Sequence, residues 1–77
     1  MQQENNIGAA IRHYRKEKGL SQDQLSMRSG VSYNTIVKLE RKYVVANPTI
    51  DTLQRIAGVL EVPICELLRE PPYNTGI

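Results

Sequence analysis

Two serines, Ser21 and Ser32, stand on either side of Gly30, and no other feature of the chain constrains its fold as much. A serine just ahead of an apolar periodic run caps a helix. Its side-chain oxygen accepts a hydrogen bond from a backbone N–H that the first turn leaves unpaired. Gln24 lies three residues after Ser21 and completes a capping box, in which each side chain serves the other residue's backbone. Asp23 puts negative charge in the first turn, where the helix dipole favours it. Gly30 ends this second helix near Ser29. Ser32 opens a third, expected from Tyr33 to Arg41, with Ile36 and Leu39 as its buried pair. Two short helices joined by a tight glycine-containing turn are the consequence.

The rest of the chain supplies helices to pack against that pair. Ile7, Ala10, Ile11 and Tyr14 recur at helical spacing and make one face of a first helix. Lys16 and Lys18 suit its last turn, and Gly19 is its stop. Residues 42–48 read as a loop, with Val44-Val45 β-branched and Asn47-Pro48 a turn signal. Thr49 caps a fourth helix that carries Ile50, Leu53, Ile56, Ala57 and Leu60 on one face. Pro63 suits the first position of a fifth helix with Ile64, Leu67 and Leu68, which Pro71-Pro72 ends. The expected fold class is all-α, five short helices in one domain spanning residues 7–70. Residues 1–6 and 71–77 are expected to be flexible ends.

Composition excludes several function classes. A length of 77 residues leaves no room for a separate catalytic domain. The single cysteine, Cys65, precludes an internal disulfide. It is expected to be a half-buried small hydrophobe. One cysteine and one histidine, His13, cannot by themselves complete a four-ligand zinc site. The first residues have neither the positive nor the apolar region of a secretion signal, and no apolar run approaches the ~18 residues of a membrane span. The expectation is a cytoplasmic protein without metal, cofactor or membrane association. His13 has no nucleophile or carboxylate pattern around it that would make it catalytic, so no enzyme is expected. The net charge is only +2, from 10 basic and 8 acidic residues, so any polyanion would be met by the placement of charge and not its total.

Several pieces now fall into one register. They are Ile11-Arg12-x-x-Arg15-x-x-x-Gly19-Leu20-Ser21-Gln22, Leu25, and Gly30-Val31-Ser32. Thr35-Ile36-x-x-Leu39-Glu40-Arg41, Asn47-Pro48-Thr49-x-x-Thr52-Leu53 and Ile56-Ala57-x-x-Leu60-x-Val62 follow in order. From Ile7 to Leu68 the chain resembles the Cro and phage-repressor-like (XRE-type) helix-turn-helix regulators. The resemblance implies the lambda repressor-like DNA-binding fold, with the third helix in the major groove.

On that resemblance, Tyr33, Asn34 and Lys38 take the base-reading positions, and Ser32 and Thr35 take cap and phosphate positions. An asparagine amide pairs with adenine, and a lysine donates to guanine. Gln22 opens the second helix, where the family anchors to the sugar-phosphate backbone. Arg41, Lys42 and Tyr43 form a basic, aromatic cluster suited to phosphates, and Arg12 and Lys16 are further candidates. Arg15 and Glu40 match positions where the family forms an ion pair between helices one and three. Asp51, Glu61, Glu66 and Glu70 lie in the C-terminal half, away from the proposed face.

Three departures are visible. Lys42 stands where the family often has glycine, so helix three either runs on or ends through another cap. The loop to Asn47-Pro48 is longer than usual. Ser26 replaces a common alanine, and its hydroxyl is expected to bond a carbonyl one turn earlier.

The function expected is a double-stranded-DNA-binding transcriptional regulator, a repressor, working as a homodimer on an inverted-repeat operator. The dimer is expected to form through the C-terminal helix, with Val62, Ile64, Leu68, Tyr73 and Ile77 as interface candidates and Leu67 in the core. Two alternatives stand beside it, an antitoxin acting with a partner toxin and a protein-interaction module on the same fold.

Overall fold

A computed structural model describes residues 6–41 and 48–68. Five helices follow one another: α1 (Asn6–Glu17), α2 (Gln22–Ser29), α3 (Tyr33–Leu39), α4 (Ile50–Leu60) and α5 (Ile64–Leu67). No strand occurs among the described residues. Helix α2 packs on α3 and α4, while α1 packs on α4 and α5. All of them share one core, in which Ile11, Leu25, Ile36, Ile56, Leu60 and Leu67 are fully buried.

The helix ends follow from local chemistry. Ser21 accepts the Gln24 N–H at 3.0 Å, and the Gln24 side chain accepts the Ser21 N–H at 2.9 Å. Ser32 accepts the Thr35 N–H at 3.2 Å, and Thr49 accepts the Thr52 N–H at 3.1 Å. Helix α1 closes in a Schellman arrangement: Leu20 N–H reaches the Arg15 carbonyl and Gly19 N–H that of Lys16, both at 3.0 Å. Gly19, at φ +69°, is the left-handed residue this requires. Gly30, at φ +74°, ends α2 in the same region.

Some ends differ from the sequence reading. Asn6 already belongs to α1, one residue ahead of the expected start, since first-turn N–H groups need no helical partner. Lys18 lies beyond α1 and pairs with Glu61 instead of serving the last turn. Pro63 caps α5 from outside, with extended backbone, and is not its first residue. Helix α3 stops at Leu39, not Arg41, because Glu40 takes a non-helical conformation while its N–H still bonds the Ile36 carbonyl. Cys65 is exposed, since α5 turns only Leu67 fully into the core. The Ser26 hydroxyl bonds forward to the Val31 carbonyl at 2.6 Å, not back along α2. Ser29 adds a second stitch, accepting the Val31 N–H at 3.2 Å. Thus both polar groups of the Val31 backbone are met by α2 hydroxyls, and the turn into α3 is fixed.

Two polar contacts bind the C-terminal part to α1 and the turn that follows it. Tyr14 donates its hydroxyl to Glu66 at 2.8 Å. Lys18 pairs with Glu61, which sits at φ +60° in the left-handed position that closes α4. The hydrogen bond and charge of Lys18 hold the Glu61 carboxyl below its ordinary range. A depressed carboxyl contributes to stability above its unfolded value, and the contribution is lost as pH falls through its folded one. Carboxyl NMR titration should therefore place the Glu61 midpoint below that of ordinary glutamates, and Lys18→Met should return it upward.

Burial also separates two substitutions. Ile36→Ala or Ile56→Ala removes a fully buried side chain and should cost about 2–5 kcal/mol in urea denaturation. Gly58 is exposed inside α4, and nothing lies within 4 Å of an added Cβ. Gly58→Ala should therefore stabilise by about 0.5–1 kcal/mol in the same measurement.

Candidate nucleic-acid interface

Helix α3 has two unlike sides. Ile36, Leu39 and the capping residue Glu40 are buried. Tyr33, Asn34, Lys38 and Arg41 are exposed, with Tyr33 at 47%. Asn34 and Lys38 are one helical turn apart and share one stripe of α3, with Tyr33 beside it, and Arg41 is exposed just beyond the helix end. Val37 is half-buried between the two sides. The exposed side offers a carboxamide, an ammonium, a guanidinium and a phenol, and no acid. That set can meet base edges and phosphates.

At the start of α3 the Ser32 and Thr35 hydroxyls lie 2.7 Å apart. One hydrogen joins them, and Ser32 also accepts the Thr35 N–H. Two hydroxyls carry two hydrogens, so one is left for an outside acceptor.

Gln22, the first residue of α2, is half-buried. Its Nε2 donates to Glu40 Oε1 at 3.2 Å. Glu40 is itself held by Arg15, through Nε to Oε2 at 2.8 Å and Nη2 to Oε1 at 3.0 Å. The remaining arm of the Arg15 fork, Nη1, donates to the Leu20 carbonyl at 2.8 Å. Arg15 and Glu40 are 9% and 7% exposed, so the pair is buried, and each nitrogen of the fork and each carboxylate oxygen has a partner. The structure thus joins Arg15, Glu40 and Gln22, which the sequence reading had treated as an ion pair and a separate phosphate contact. Only the spatial meeting of the start of α2 with the end of α3 shows this, and no local pattern encodes it.

Lys42 and Tyr43 lie outside the described residues. Arg12 and Lys16 are exposed on α1, and Arg28 is exposed near the end of α2. His13 is half-buried, 3.5 Å from Glu17 across one helical turn. Among the described residues no group of three or more His, Cys, Asp or Glu is placed to hold a metal, and no helix is long and apolar enough to cross a membrane.

A family model for helix-turn-helix domains matches residues 11–67. The chain is 46% identical over 61 residues to the transcriptional regulator SlrR of Bacillus subtilis, covering 79% of this chain and 40% of that protein. It is 39% identical over 64 residues to the transcriptional regulator SinR of Bacillus licheniformis, covering 83% of this chain and 57% of that one. The chain therefore spans about half the length of these relatives, or less. Among solved structures it resembles SinR, the master regulator for biofilm formation, in complex with DNA. The TM-score is 0.76 at 38% identity, over 82% of this chain and 98% of that one.

The buried fork gives a direct test. Arg15→Ala leaves the Glu40 carboxylate buried with its main partner gone and should cost about 3–5 kcal/mol in denaturant unfolding. Arg15→Lys keeps the charge but loses the fork, so its loss should be smaller yet clear. Equal stability of Arg15→Ala and wild type would show that the pair does not hold the fold.

Proposed function

The chain belongs to the Cro and phage-repressor-like helix-turn-helix family of transcriptional regulators, which is not an enzyme class, and from that premise we propose that it binds double-stranded DNA sequence-specifically and represses transcription as a homodimer. The observation that carries this reading is the two-sidedness of α3. Ile36 and Leu39 fix the helix from behind, and Tyr33, Asn34 and Lys38 stand clear in front. In the major groove, Asn34 can pair with adenine and Lys38 can donate to guanine. Tyr33 packs on sugar or a thymine methyl. Gln22, the Ser32–Thr35 hydroxyl pair, Arg41, Lys42 and Tyr43 meet phosphates, which set register and carry no base information.

A single small module buries roughly 600–1,000 Å² on DNA, at the low end for specific binding. Two copies on an inverted repeat double the contacts. Helix α5 and the residues flanking it supply a surface for pairing: Leu68 is exposed, and Val62 and Ile64 are half-covered. Leu67 is buried in the monomer. Tyr73 and Ile77, the other interface candidates, lie outside the described residues.

Selection of genomic fragments by the purified protein at about 150 mM salt tests the reading, because that salt weakens non-specific binding. Enrichment of a two-fold-symmetric motif is expected. A folded protein that enriches nothing would overturn it. On the enriched duplex, Asn34→Ala and Lys38→Ala should each cost about 1–3 kcal/mol and relax preference at one position. Arg41→Ala should weaken all sequences alike and reduce a salt slope of roughly −5 by about one.

A further inference from the structure

We propose that Glu40 is a positioning residue for DNA contact. It holds the Gln22 carboxamide with its nitrogen turned inward, and so fixes the distance between the backbone anchor on α2 and the reading face of α3. The proposal rests on the DNA-binding reading above and adds a residue to it. Glu40 itself is buried and touches no DNA.

The geometry has three parts. First, Gln22 Nε2 is 3.2 Å from Glu40 Oε1, an oxygen that also accepts from Arg15 Nη2 at 3.0 Å. A carboxylate accepts and never donates, so it admits only the nitrogen end of the amide. Without Glu40 the carboxamide has no such preference between its two ends. Second, a primary amide nitrogen carries two hydrogens. Glu40 takes one, and the proposal assigns the other to a phosphate oxygen. A phosphate oxygen requires a donor, so in this reading the one nitrogen serves two acceptors, one hydrogen to Glu40 and one to the phosphate, and Glu40 fixes where that nitrogen stands. Third, Glu40 caps α3, and Gln22 is the first residue of α2. The bond between them spans the outer ends of the two helices, while the Ser26 and Ser29 hydroxyls stitch the inner turn at Val31. The α2–α3 pair is thereby tied at both ends, and a phosphate held by Gln22 stands at a fixed offset from bases read by Asn34 and Lys38.

A merely structural role for Glu40 predicts something different. Glu40 would then affect stability through Arg15 alone, and Gln22 would act on DNA independently. A double-mutant cycle separates the two. Gln22→Met keeps the side-chain stem and removes both amide donors. Glu40→Gln removes the charge that selects the nitrogen end. Binding is measured on the duplex that the genomic selection enriches, at a temperature where circular dichroism shows each variant folded. Each single variant should lose about tenfold in affinity, the scale of one hydrogen bond to a charged group. The double variant should lose no more than the weaker single. Additive losses would overturn the proposal.

Glu40→Gln destabilises a buried pair and can fail to fold, so a second readout uses the wild-type protein without DNA. In nitrogen-resolved NMR, one of the two Gln22 side-chain amide protons should lie downfield and exchange slowly, and Gln22's other proton should exchange as in a solvated amide. Both protons at ordinary free-carboxamide shifts and exchanging alike with solvent would overturn the proposal whatever the binding data show. Failure of the wild type to bind any duplex would sink the regulator reading and the proposal with it. Binding with additive losses would sink the proposal alone.

Discussion

One buried carboxylate organises the N-terminal half of this fold. Glu40 accepts two bonds from Arg15 of α1 and one from Gln22 of α2, and it sits where α3 ends. The Arg15 fork also reaches the Leu20 carbonyl, so the turn between α1 and α2 is drawn into the same cluster. Burying two charges is expensive, and the cost is offset only when geometry and hydrogen bonding are nearly complete. Here the partners of the carboxylate come from two helices, so its satisfaction depends on both being in place. Helix α3, at 7 residues, is too short to be stable alone. Its position comes from Ile36 and Leu39 in the core and from Glu40 at its end.

This arrangement divides the surface of α3 without compromise. The residues that hold the helix point one way, and those that meet a ligand point the other. Nothing on the exposed side has to be apolar for the fold to form. The exposed residues at 33, 34 and 38 are therefore open to change with little effect on stability, which suits a scaffold that reads different sequences by changing a few side chains.

Much of this was legible in the sequence, and the boundary between the legible and the hidden is physical. Caps are local. Ser21 with Gln24, Ser32 and Thr49 place three helix starts from neighbours within one turn, and Gly19 and Gly30 place two ends from a backbone conformation that glycine favours. The apolar stripes of α1 and α4 give the core by periodicity, except at Ile50, which begins α4 and is 61% exposed because the core starts one turn later at Leu53. What was hidden depends on contacts between distant segments. The end of α3 could not be read, because Glu40 leaves the helix as the partner of Arg15, 25 positions away. The Gln22 tie spans 18 positions and has no local sign. Ser26 was read as bonding within its own helix, but the Val31 carbonyl across the turn lies nearer to hand. Cys65 was read as half-buried from composition, whereas the shortness of α5 leaves only Leu67 fully inside.

The same contacts explain how a chain with a net charge of only +2 can carry a positive working face. The acids of the described residues are largely employed inside the molecule. Glu40 is buried with Arg15, Asp51 pairs with Arg55 on α4, Glu61 pairs with Lys18, and Glu66 accepts from Tyr14. Asp23 lies in the first turn of α2, where the helix dipole compensates it. Between Gly30 and Leu39 there is no acid at all, and Lys38 and Arg41 are exposed together at the end of α3. At physiological salt, charges farther apart than about 8 Å are largely screened from one another. A ligand approaching α3 therefore responds to the local cations and not to the overall sum. Net charge understates the electrostatics of such a domain, because its described carboxylates are mostly engaged with partners inside the protein while Lys38 and Arg41 stand exposed where a polyanion would meet them.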